Sequence, residues 1–383
     1  DFLATSPRQG EAPPWIVAGY PWFECWGRDS WLALPGLTFE AGRLREGLAL
    51  AEALALAAED GALFQRVEDK TGSVDFTTAD ASLWLLARAW DLAEVLSAHP
   101  TSEARQVVLG SYYPAARAAF HALASGALPF VVVLSHGLVA ARGSAALTWM
   151  GAQRGAEAVT PREGCAIELT ALWVRGCRGL ARLAREAAGF DVETDALAAA
   201  ALALLQSPRF FDAEGGYAFD VLPADLDVCG ADRSVRPNAV LALGLCPDLL
   251  PEAAARQVLS RAHRDLVTPV GLRTLSPRDP RYVGQYAGDA AKRDQAYHQG
   301  SAWPFLVGAW VDAELALASD RRETARALAP VVLSAAQASQ ALGQVSELCD
   351  GDGPHAPGGA VASAISVAEL LRAARALLRV LAP

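Results

Sequence analysis

The chain has 383 residues, and 33 Lys plus Arg against 43 Asp plus Glu give a formal charge of −10. An acidic chain without a basic stripe argues against nucleic acid as a partner and is compatible with a neutral ligand such as a sugar. Apolar residues make up 52%, ample for a large core, and no apolar run reaches the roughly 18 residues of a membrane span.

Cys25, Cys165, Cys177, Cys229, Cys246 and Cys349 lie far apart with no CxxC pair, and the histidines form no HExxH. A zinc site is not expected from such spacing. The thiols read as buried cysteines of a cytoplasmic protein. The chain begins at Asp1 rather than Met, compatible with a removed upstream segment, and nothing in it resembles a signal peptide.

Apolar residues recur at intervals of three and four along most of the chain, the signature of amphipathic helices. In chain order the pattern predicts eleven of them, at about 29–40, 42–59, 77–98, 102–125, 165–188, 191–206, 236–247, 251–265, 299–318, 320–342 and 359–382. The last shows it plainly, with Ile365, Ala368, Leu371, Ala374, Leu378 and Leu381 on one stripe and Glu369, Arg372, Arg375 and Arg379 on another. Short links at Gly42, Phe190–Asp191, Pro247–Pro251 and Asp320 alternate with long ones at 60–76, 126–164, 207–235, 266–298 and 343–358. Helical hairpins in a ring give that alternation, with the long loops gathered at one end as the walls of a pocket. An irregular bundle is the other arrangement; a solenoid would show a fixed period, and none is present. Residues 1–17 read as an extended lead-in to a single domain spanning 1–383.

The long loops hold the unusual residues. The first cluster, Ala18-Gly-Tyr-Pro-Trp-Phe-Glu-Cys-Trp-Gly-Arg-Asp-Ser30, offers flat apolar faces at Trp22 and Trp26 and paired polar groups at Arg28 and Asp29. A hexose needs both, since its C–H face stacks on a ring and its hydroxyls need fixed partners; an unmatched buried polar group costs roughly 1–3 kcal/mol. Arg28 and Asp29 fit a local ion pair with Asp29 as helix cap equally well. Asp80, at a helix start, fits either a cap or a sugar contact. Further clusters are Leu147-Thr-Trp-Met150, Thr160-Pro-Arg-Glu-Gly-Cys-Ala-Ile-Glu168, Arg236-Pro-Asn238, Gly271-Leu-Arg-Thr-Leu-Ser276, Tyr297-His-Gln-Gly-Ser-Ala-Trp-Pro304 and Val345-Ser-Glu-Leu-Cys-Asp-Gly-Asp352. Each alone is weak.

Together, from about Gly19 to about Leu371, they resemble the amylo-α-1,6-glucosidase domain of glycogen debranching enzymes and their bacterial relatives. The resemblance implies an all-α (α/α)6 barrel. It also implies inverting hydrolysis of the single α-1,6-linked glucose at a trimmed branch, with glycogen or a branched malto-oligosaccharide as partner and no metal or organic cofactor. It makes Glu347 the general base. Trp26, Arg28 and Asp29 would hold the terminal glucose, and Asp80, Trp149, Glu168, Arg236, Asn238, His298, Gln299 and Trp303 would line the rest of the pocket.

Inversion needs two carboxyl groups across the sugar, one protonating the leaving oxygen and one activating water. The family's acid is the aspartate after Thr-Trp-Met; here that position is Gly151. Thr170, Ala239 and Ile365 also stand where the family usually has Asn, Gln and Trp. Three outcomes are open: a glucan-binding protein without turnover, replacement of the acid by Glu157 or Glu163, or a substrate whose leaving group needs little protonation. General-acid assistance is typically worth ~10²–10⁴ in rate, so its loss cripples turnover and spares binding. A helical interaction scaffold is the remaining reading, and it leaves the aromatic loops unexplained.

Overall fold

A computed structural model describes residues 2–5, 14–68, 71–143, 147–187, 192–207, 210–337 and 343–382. The expected Phe190–Asp191 link lies outside the described residues, as does much of the 1–17 lead-in. The helices are α1 (Gly27–Leu34), α2 (Leu44–Leu56), α3 (Ala81–Ala87), α4 (Ala89–Ala98), α5 (Ser102–Arg105), α6 (Tyr113–Ser125), α7 (Ile167–Glu186), α8 (Val192–Leu205), α9 (Asn238–Leu245), α10 (Glu252–Asp265), α11 (Ala290–Tyr297), α12 (Leu306–Leu317), α13 (Arg321–Ala336) and α14 (Ala364–Leu381).

Six of them close a ring. α1 packs on α3, α3 on α7, α7 on α9, α9 on α12, α12 on α14, and α14 returns to α1. α4 continues α3 past Arg88, and α2, α5–α6, α8, α10 and α13 pack outside the ring. These are the eleven predicted segments, inner and outer by turns. The inner interfaces are close because small residues face each other. A Cβ at Gly244 of α9 would stand 2.5 Å from Ala309 O of α12, and one at Gly36, just after α1, would stand 2.0 Å from Ala368 O of α14. Both separations are below any real contact.

The alternation of link lengths now has a geometric cause. Among the described residues, short links lead from the inner helices α1, α4, α9 and α12 to their outer partners, whereas long ones lead into the N-termini of inner helices. All six inner N-termini therefore point to one end, where the loops collect and where the positive helix dipoles converge.

Those loops are not plain coil, which departs from the almost wholly helical expectation. Short strands staple them. One sheet pairs Leu3–Thr5, Pro14–Tyr20, Phe23–Trp26, Arg66–Val67 and Val74–Asp75 in order, with Ala362–Ser363 added against Pro14–Tyr20. A second pairs Val267–Thr268, Gly271–Arg273, Ala302–Trp303, Leu348–Cys349 and Pro357–Gly358, with Leu272 opposite Trp303 and Ala302 opposite Cys349, and four two-stranded ribbons add to them among the described residues. Most of these strands are two or three residues long, too short for an alternating pattern to register. α11 was also missed, because AAKRDQAY has no apolar stripe; only its cap, Asp289 accepting from the Lys292 N–H, signals it. α12 starts at Leu306 rather than 299, since residues 302–303 are held in the second sheet.

Below the loop end, ion pairs fill the barrel's interior. Arg88 and Arg175 both bind Asp91, at 2.8 and 2.9 Å, while Arg372 binds Asp312 and Glu369. Burial opposes the charge on Asp91, yet the two guanidiniums hold it at about 2. Leu32 and Phe305 separate this layer from the cavity above.

Candidate active site

At the loop end a cavity opens with about 790 Å³ of empty space, part of it continuous with solvent. Its walls come from remote parts of the chain: Ala18, Phe23 and Trp26 from the first sheet, Arg28, Asp29 and Leu32 from α1, and Gln65 from the following hairpin. Thr148, Trp149 and Gly151 add a second wall. Tyr297, His298, Trp303, Phe305, Glu347, Ser363 and Ile365 complete it.

Trp26 is the residue before α1, and the guanidiniums of Arg28 and Arg66 each stand 5.9 Å from its ring centroid. Arg28 donates from Nε to Asp29 at 2.9 Å and reaches Asp80 at 3.5 Å. Burial works against its charge, but the two carboxylates outweigh it and raise its pKa. Arg28 and Asp29 form the local ion pair, and both line the cavity. Asp29 is in the first turn of α1 but caps nothing. Asp80 is buried behind Arg28, with Thr78 Oγ1 donating to it at 3.0 Å.

Trp149, His298 and Trp303 form an aromatic corner. His298 stacks on Trp303 at 5.2 Å and 23°, while Trp149 meets both edge-on. His298 is fully buried, and neither ring nitrogen has a hydrogen-bond partner among the described residues. Burial, then the charge of Arg236, pushes its pKa well below the usual histidine value. The ring is therefore neutral, with one donor and one acceptor nitrogen.

Glu347 stands beside this corner. Its Oε1 accepts from the Tyr297 hydroxyl and its Oε2 from the Ala360 N–H at 2.8 Å. Burial lifts its pKa from 4.5 to about 7; those two donors act against the rise, and the charge of Asp29 adds to it. A carboxyl in that range is suited to take up and release a proton near neutrality.

Four further expected lining residues, with Asp80 a fifth, stand behind the wall rather than on it. Glu168, Arg236, Asn238 and Gln299 are buried and do not border the cavity. Their polar atoms are used within the protein. Arg162 donates to both oxygens of Glu168 at 2.7 and 2.6 Å and also to Asp220. Asn238 donates to Asp220 at 2.8 Å and accepts from Trp149 Nε1 at 2.8 Å. Arg236 donates to His298 O at 2.8 Å and to Gln299 Oε1 at 2.8 Å, and Gln299 donates to Val159 O at 2.9 Å. The network fixes the tryptophan and histidine that do face inward.

Glu157 and Glu163 are exposed and do not border the cavity. The sequence offers Tyr297 only as part of its motif, and nothing in it points to Asp220. Among the described residues, Asp29 and Glu347 are the carboxyl groups lining the cavity.

The sequence profile described as amylo-alpha-1,6-glucosidase matches residues 2–372. The chain belongs to that family. A stretch of 83 residues is 34% identical to the glycogen debranching enzyme of Saccharomyces cerevisiae, covering 20% of this chain and about 5% of the yeast protein. The fold is similar to mannosylglycerate hydrolase of Thermus thermophilus, a GH63 enzyme, solved with Tris (TM-score 0.69, 14% identity, 94% of this chain and 95% of that one). The same enzyme solved with glucose gives TM-score 0.68 at 15% identity, covering 94% of this chain and 95% of that one. Neutral trehalase of Saccharomyces cerevisiae gives 0.67 at 14%, covering 99% of this chain and 78% of that one. The family is one of glycoside hydrolases, and the ring of inner and outer helices is its (α/α)6 barrel.

Proposed function

We propose that this chain binds the terminal α-1,6-linked glucose of a branched α-glucan and hydrolyses that bond with inversion, Glu347 serving as general base. The observation that carries this reading is one cavity holding Glu347, Asp29 and the unpartnered imidazole of His298 between aromatic walls. Arg28, Asp29 and His298 supply donors and acceptors for hydroxyls, while Trp26 and Trp303 supply flat faces. Glu347 accepts a proton from water as the water oxygen attacks C1, and the glycosidic bond breaks with its electron pair on the leaving oxygen. That oxygen needs a proton, and Gly151 cannot give one.

A second reading is favoured by that gap: a glucan-binding protein that turns over slowly or not at all. Asp29 is committed to its ion pair with Arg28 and does not fill the gap. Two substrates separate the readings. α-Glucosyl fluoride needs no proton on its leaving group, so a site with base and cup alone releases glucose from it, first as the β-anomer by NMR. Limit dextrin needs the donor. We expect fluoride hydrolysis by the native chain, slow release from limit dextrin, and a gain of ~10²–10⁴ there in Gly151→Asp. Absence of fluoride hydrolysis would eliminate the catalytic reading, and absence of limit-dextrin binding would eliminate both.

A further inference from the structure

Tyr297 is the last residue of α11, lines the cavity and donates its hydroxyl to Glu347 Oε1. Its ring is fixed on three sides. It stands edge-on to His298 at 4.7 Å and to Trp303 at 5.0 Å, and tilted against Tyr286 at 5.8 Å. Trp303 Nε1 also donates to the Tyr297 carbonyl at 3.0 Å. The other carboxylate oxygen, Oε2, accepts from Ala360 N–H at 2.8 Å, while Glu347 N–H donates to Ala360 O at 3.0 Å. Gly359 permits that approach: its φ is +67°, and a Cβ there would collide with Oε2. A carboxylate anchored at both oxygens cannot turn about its terminal bond, yet each oxygen keeps lone-pair capacity for a water molecule.

We propose that Tyr297 is the positioning residue of Glu347: its hydroxyl fixes how the carboxylate faces the attacking water and sets the pH range in which it works as a base. The inference rests on the reading of Glu347 as general base and deepens it. Tyr297 acts through Glu347 and keeps its own proton, because burial and the neighbouring carboxylate hold its hydroxyl well above the usual tyrosine value. Among the described residues, the titratable groups facing Glu347 are Tyr297, Tyr286 and Asp29, the last paired with Arg28, and the adjoining His298 is neutral. Of these, Tyr297 is the one that donates to the carboxylate. A hydrogen bond to the ionised form favours that form, so losing it makes the base titrate at higher pH.

The test is the pH profile of α-glucosyl fluoride hydrolysis, which needs no leaving-group proton and so reports the base alone. Tyr297→Phe keeps the ring among its neighbours and removes the donor. We expect its midpoint to move up by about one pH unit, with kcat at pH 7 lowered about five-fold and KM little changed. Replacing Tyr297 by 3-fluorotyrosine, whose hydroxyl is a stronger donor, should move the midpoint below the native one. A merely structural role would lower the rate at every pH and leave the midpoint in place. A midpoint that stays put in either folded variant overturns the proposal and leaves Glu347 as the base. If Tyr297→Phe does not fold, the fluorotyrosine protein decides alone. A native chain that fails to hydrolyse the fluoride sinks the base reading itself, and the positioning role with it.

Discussion

Glu347 carries two consequences that can be measured apart from each other. Burial raises its carboxyl from 4.5 to about 7. A carboxyl whose folded pKa exceeds its unfolded one favours the fold at low pH, and that contribution is lost as pH climbs from about 4.5 through about 7. Glu347→Gln can keep both hydrogen bonds, its carbonyl accepting from Ala360 and its amide donating to Tyr297. We therefore expect the variant to gain stability over the native chain at pH 8, by up to about 3 kcal/mol. At pH 4 the two should differ little; thermal melts at the two pH values decide it, and an equal gain at both would refute the burial argument. Fluoride hydrolysis by the native chain should rise with pH through about 7 and vanish in Glu347→Gln, because only the ionised base accepts a proton from water. The loop motif around Glu347 is visible in the sequence, but its partner Tyr297 is not, since a contact between residues 50 positions apart leaves no local trace.

The N-terminus of α7 shows how an element shapes the cup without touching it. Arg162 holds Glu168 in the first turn of α7 and Asp220 from a strand-bearing loop, and Asp220 holds Asn238, which orients Trp149. Burial raises Glu168 against the pull of Arg162, and the charge of Asp220 raises it further. Arg162→Met strands two buried carboxyl groups. Removing one partner from a buried pair typically costs about 3–5 kcal/mol, so the urea midpoint should drop markedly at pH 7. The deficit should shrink at acidic pH, where Glu168 takes up a proton. A midpoint that does not move would show that Arg162 is dispensable to the loops. The spacing of Glu168, Arg236 and Asn238 marks them as polar residues at helix starts. It does not tell whether such a residue faces the cavity or supports a neighbour that does, because that depends on which way the loop before each helix turns.

Closure of the ring is the property of the whole molecule on which the site depends. α14 must return to α1, and it does so where Gly36 meets the backbone of Ala368. Nearby, Arg379 grips Glu40 at 2.8 Å and Arg322 reaches the carbonyls of Leu381 and Ala382 at 3.1 Å. A methyl at Gly36 would have to push the two helices apart. Gly36→Ala should therefore cost about 1–3 kcal/mol by overpacking. It should also weaken ligand binding, because Asp29 on α1 and Ser363 and Ile365 at the start of α14 both line the cavity. Urea unfolding together with oligosaccharide titration checks both; unchanged stability would mean that closure tolerates more slack than the backbone separation allows.

The helical segments, the alternation of short and long links and the clustering of aromatic and polar residues in the long loops were legible from the chain alone. Each rests on a local regularity: a 3.6-residue apolar period, the length of a link, a compact motif. The inner N-termini converging on one cavity, the short strands that staple the loops, and the division between residues facing the cup and those bracing it came only with the tertiary structure. Those features depend on contacts between residues tens to hundreds of positions apart, whose free energy is set by how helices close a ring and not by any window of sequence.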